Sequence, residues 1–87
     1  MAVLYREIER KFRALEAYFT PEELVEFEKT PAGELRRYDP TLGEWIRMYM
    51  LGEDRLLYCL FAASGFARPD DMSSLMITMF HYYICVC

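Results

Sequence analysis

VLYREIERKFRALEAYFTPEE, residues 3–23, settles the secondary-structure class of this chain. Leu4, Ile8, Phe12, Leu15 and Phe19 recur in it at steps of four, four, three and four. That spacing lays one apolar stripe along an α-helix, with charged side chains on the opposite face. Glu7–Lys11 and Glu9–Arg13 stand four apart in the favourable order and should brace the solvated side. Thr20-Pro21-Glu22-Glu23 then reads as a fresh helix start. Thr20 caps, Pro21 suits the first helical position, and Glu23 completes a capping box. Phe19 and Leu24 hold the positions of a hydrophobic staple.

The same grammar continues downstream. Thr30-Pro31 ends the second helix. Leu35, Tyr38, Leu42, Trp45, Ile46 and Tyr49 follow at helical spacing. Asp39-Pro40 interrupts that run, either as a kink or as the cap and first turn of a new helix. Gly43 within it costs about 1 kcal/mol relative to Ala, which close approach of a neighbouring helix would offset. Gly52 stops the run. Glu53 to Ser64 forms the next helix, with Leu56, Leu57, Leu60 and Phe61 inward and Gly65 as its C′ residue. Pro69-Asp70-Asp71 opens the last helix, whose acids suit the positive end of the helix dipole. Met72, Leu75, Met76, Met79, Phe80 and Tyr83 form its main stripe. The expected fold is all-α: a compact single-domain bundle of about five short helices spanning residues 1–87. Only Ile84 to Cys87 alternates with a strand-like period.

Composition narrows the function. The chain has 87 residues, of which 54% are hydrophobic and 16% aromatic. That leaves room for one core and none for a separate substrate or cofactor domain. Fourteen acidic residues face ten basic ones for a net charge of −4, which disfavours binding nucleic acid through phosphates. Residues 72–87 contain no Asp, Glu, Lys or Arg, yet carry His81, Tyr82, Tyr83 and two serines. A buried or partner-binding helix is expected there rather than a membrane span. An odd count of three cysteines, with no apolar run of signal-peptide length at the start, points to a reducing cytoplasm.

Leu42-Gly43-Glu44-Trp45-Ile46-Arg47 and Arg68-Pro69-Asp70-Asp71-Met72-Ser73-Ser74 carry a resemblance. Across residues 35–83 the chain resembles a family of small bacterial and phage-associated proteins of unknown function. Their pattern joins Leu-Gly-x-Trp-Ile-Arg to a later Pro-Asp-Asp-Met-Ser helix start. Asp39-Pro40, Met48 and the apolar tail depart from it. The resemblance implies a small helical fold and brings no activity with it.

The chemistry-bearing residues are few. Arg47 should bridge to Asp70 and Asp71 by bidentate hydrogen bonds, or else hold an anion at that helix start. His81, Cys85 and Cys87 have partial zinc spacing, with Cys59 as a distant fourth, and the expectation is no metal and no cofactor. For nucleophilic catalysis, Cys59 and His81 are the one Cys–His option with the His inside a helix, and no oxyanion loop accompanies them. The paired acids sit at helix starts, where capping explains them. No catalytic residue is assigned. The expected function is a non-catalytic acidic module that occupies a partner protein's basic surface, with an inhibitor carried by a phage or mobile element as one form of it. The alternative is a structural or homodimeric domain. Trp45, Met72, Met76, Met79, Phe80, Tyr82 and Tyr83 are the candidate interface.

Overall fold

Helix α1 covers Ala2–Glu9 and α2 covers Phe12–Tyr18 in the computed structural model, which describes residues 2–86. Helix α3 is Pro21–Lys29, and a helical rod of changing pitch fills residues 32–51, with α4 (Glu44–Ile46) inside it. Helices α5 (Arg55–Ala63) and α6 (Pro69–Val86) complete the chain. The five expected segments are all present, and no strand occurs among the described residues. The Cα radius of gyration, 12.3 Å, is that of a packed domain of this length.

Leu4, Ile8, Phe12 and Leu15 are buried as their stripe requires. The expected single helix is nevertheless broken at Arg10-Lys11, where the Lys11 N–H donates to the Ile8 carbonyl, three residues back, at 2.9 Å. Such a tightened turn bends a helix. Here the bend lets α1 lie on α5 while α2 swings toward α6, where Phe12 packs on Phe80 and Tyr83. It also re-pairs the charges. Glu7 meets Arg10 at 3.3 Å, and Lys11 reaches Asp54 at 2.6 Å instead of Glu7.

Helix α3 begins as its sequence demands. The Glu23 N–H donates to Thr20 Oγ1 at 3.2 Å, and the Thr20 N–H donates to Glu23 Oε1 at 2.9 Å. The rod after it resolves the Asp39-Pro40 question. Asp39 has helical torsions (φ −58°, ψ −44°), so it caps nothing and the backbone runs on. The pitch changes instead, from a 3₁₀ helix over Ala32–Tyr38 to a π-turn over Asp39–Gly43. Pro40 offers no N–H to the ladder, and the Glu44 N–H reaches five residues back to the Asp39 carbonyl.

Helix α6 lies against α3 and against most of the rod, with Met72, Met76, Ile77 and Phe80 buried. It continues through Val86, so Ile84, Cys85 and Val86 are helical rather than extended; Cys87 lies outside the described residues. On α5, Leu57 and Phe61 are buried but Leu56 points to solvent, contrary to the expected inward set. Gly65 closes α5 at φ 98°, the left-handed conformation that suits glycine. The Phe66 N–H returns to the Phe61 carbonyl at 3.1 Å and the two rings meet edge to face, completing a Schellman closure.

Candidate functional site

The two sequence motifs meet in space at Arg47. Its Nη1 donates to Ser73 Oγ at 3.0 Å, its Nη2 to the Asp39 carbonyl at 3.3 Å, and its Nε lies 3.5 Å from Asp70 Oδ1. Ser73 is fully buried, and its hydroxyl both accepts from Arg47 and donates to the Asp70 carbonyl at 3.0 Å. One guanidinium thus joins the π-turn to the first turn of α6. The bidentate Asp70/Asp71 arrangement does not form. Asp71 is exposed and makes no ion pair with Arg47, because the fork is turned toward Ser73 and the Asp39 carbonyl.

Gly43 explains how Arg47 gets there. A Cβ on Gly43 would stand 3.1 Å from Arg47 Nη1. The glycine therefore makes room for a side chain one turn along its own helix, rather than for a neighbouring helix. The shallow depression beside Arg47 is also lined by Asp39 and Asp70. A further anion there would meet two carboxylates, so the geometry is that of a bridge between elements.

The candidate interface divides sharply by burial. Met72, Met76 and Phe80 are at 0% exposure and belong to the core, where no partner can touch them. Met79 is half-buried and packs on that core. Trp45 is also half-buried, packed between Tyr18 and Tyr49. Tyr82 and Tyr83 alone of the set are outward. The uncharged end of the chain is interior along Met72, Met76, Ile77 and Phe80, where α6 packs on α3 and the rod, and open to solvent at Tyr82, Tyr83 and Val86.

Two clefts flank α3 instead. One, of about 400 Å³, runs between Leu24, Val25 and Glu28 of α3 and Tyr83 and Ile84 of α6, with Glu16 at its edge. The other, of about 440 Å³, has aromatic walls from Tyr18, Phe19 and Tyr38 and glutamates Glu22, Glu23 and Glu26. Its walls are held from behind. Phe19 meets Phe27 at 5.1 Å, and Tyr38 stands edge-on to Phe27 at 4.8 Å. The Tyr38 hydroxyl lies 3.3 Å from Oγ1 of Thr30, a buried residue that also donates to the Glu26 carbonyl at 3.0 Å. Sequence reasoning missed this cleft, since its walls come from three segments. The capping box at Thr20 and the helix end at Thr30-Pro31 located the bends that assemble it.

The other reactive groups are placed structurally. His81 is buried edge-on to Phe27, and its Nε2 lies 3.6 Å from Cys85 Sγ. Cys59 faces out from α5, beside Arg55 and Tyr58. No group of three His, Cys, Asp or Glu able to hold a metal ion occurs among the described residues. Asp54 caps α5 by accepting from the Leu57 N–H at 3.1 Å. Lys11 above all, then that N–H, holds the Asp54 carboxyl below its ordinary pKa. No helix of the described residues is long and apolar enough to cross a membrane.

Residues 6–84 match a family whose description is "Domain of unknown function (DUF6794)". The match extends well upstream of the 35–83 stretch that carries the two motifs. No curated protein matches the chain, and no solved structure does.

Proposed function

This chain belongs to the DUF6794 family, and we propose that it is a non-catalytic binding module whose α3 face docks on a basic surface of a partner protein. Charge placement carries this reading. The two clefts beside α3 are lined by five glutamates, Glu16, Glu22, Glu23, Glu26 and Glu28, and neither lining contains a Lys or Arg. Like charge around apolar walls favours a positively charged partner and speeds its approach. The non-catalytic part is supported by His81 being buried edge-on to Phe27, with Cys85 the thiol beside it on the same helix and Cys59 facing outward from another. A reducing cytoplasm suits Cys59 and Cys85, both free thiols. An inhibitor from a phage or mobile element would work in this way, by covering a surface that serves another acidic ligand.

For the self-associating alternative, a seam along the last helix would have Phe80 buried and Met79 packed on its own core, with Tyr83 the exposed member of that face. Carbodiimide crosslinking of the chain to partners in host extract, read by mass spectrometry, tests the proposal. Crosslinks should join glutamates of α3 to partner lysines. Glu22→Lys with Glu26→Lys should abolish them, while Glu34→Lys with Glu53→Lys should not. Crosslinks confined to other faces, or undiminished by the α3 reversal, overturn it.

A further inference from the structure

We propose that the aromatic cleft between α2, α3 and the rod receives an arginine side chain of the partner; this rests on the docking face proposed above. The cleft's volume, about 440 Å³, lies within the range of side-chain and small-ligand sites. Tyr18, Phe19 and Tyr38 are half-buried, so each presents part of its ring to the opening. Their rings are fixed by packing on Phe27 and Trp45, by the Thr30 hydroxyl and, at Tyr38, by the chain's own Arg37, whose guanidinium carbon lies 6.0 Å from the ring centroid without lining the cleft, so little ordering is needed when a ligand enters. Glu23 already accepts from the Thr20 N–H. Glu22 and Glu26 are exposed and take part in no ion pair among the described residues. They stand four apart on one side of α3, where their mutual repulsion opposes the helix and a cation would relieve it.

Aromatic faces beside two free carboxylates match a guanidinium better than an ammonium. The planar guanidinium stacks on tyrosine while its N–H fork pairs with a carboxylate. Lysine can satisfy the charge but not the stacking. The preference for arginine is what separates this cleft from a merely acidic face.

Trp45 is the single tryptophan and packs on Tyr18 at 5.2 Å, so its fluorescence reports on the cleft wall. The test titrates the full chain at low salt with a blocked arginine-rich peptide and with its lysine counterpart of equal length. The arginine peptide should bind more tightly and shift Trp45 emission. Glu22→Gln with Glu26→Gln should weaken it about tenfold, as loss of two exposed ion pairs implies. Glu7→Gln with Glu9→Gln, the same charge change on α1, should leave it nearly unchanged. Thermal melts should show both double variants folded, because all four side chains replaced are on the surface or its edge. Equal binding of the two peptides, with the loss confined to the α3 double variant, overturns the arginine cleft and leaves the acidic docking face standing; equal loss in both double variants overturns both. Binding of neither peptide overturns both.

Discussion

Gly43 and Arg47 act as one unit. The guanidinium lies over the bare Cα of Gly43 and is tied there by Ser73 and the Asp39 carbonyl. At an unobstructed helical site Gly→Ala stabilises by about 1 kcal/mol. Gly43→Ala should gain less than this or lose stability, because the new methyl must push a tethered side chain. In an Arg47→Ala background the same change should recover the ordinary gain. A double-mutant cycle by urea denaturation measures the coupling; strict additivity would refute the account. Gly52 and Gly65 are constrained by backbone instead. A Cβ on Gly52 would lie 2.6 Å from the Met48 carbonyl oxygen, and Gly65 has φ 98°. Gly65→Ala should cost on the order of 1–2 kcal/mol in the same assay.

Helix ends are where the elements are joined to one another. The Lys11–Asp54 pair fastens the bend between α1 and α2 to the start of α5. Asp54 has its pKa lowered in the folded state, chiefly by Lys11. Its stabilising contribution is therefore fully present above the unfolded carboxyl value, about 3.9. It is lost as pH falls through the lower folded value. Melting temperature followed from pH 7 down through the carboxylate range should fall more steeply for the natural chain than for Asp54→Asn. Lys11→Met should flatten the profile similarly. At neutral pH Asp54→Ala should cost about 1 kcal/mol for the lost cap alone. An unchanged acid limb in both variants would count against this pairing.

Across the whole molecule, α6 is the interior element and the aromatic rings are its packing partners. Phe80 stacks among Phe12 and Phe19, from the two ends of α2, and Phe27 of α3. A domain of this length holds roughly 5–10 kcal/mol of net stability. Phe80→Ala should remove about 3–5 kcal/mol of it, whereas Tyr82→Ala, at a residue 69% exposed, should change it by less than about 0.5 kcal/mol. Calorimetry distinguishes the two. Comparable losses would mean that the last helix is not the core.

The local signals in the chain proved legible because they act over one or two turns. The stripe from Leu4 to Leu15, the Thr20–Glu23 box and the Gly65 closure each depend on neighbours a few residues away. Helical class and segment order follow from such short-range rules. Arg47's link to the start of α6 was also within reach, since charge and motif spacing singled it out. Its real partners were not, because Ser73 and the Asp39 carbonyl are chosen by the π-turn and by the space over Gly43. Burial was the least legible property. Met72, Met76 and Phe80 fit the core by their spacing yet stayed candidates for an interface, because periodicity defines a face without saying what covers it. The bend at Lys11 and the changes of pitch in the rod place the other helices around α6. Those long-range contacts bury Met72, Met76, Ile77 and Phe80 and leave the glutamates of α3 facing outward.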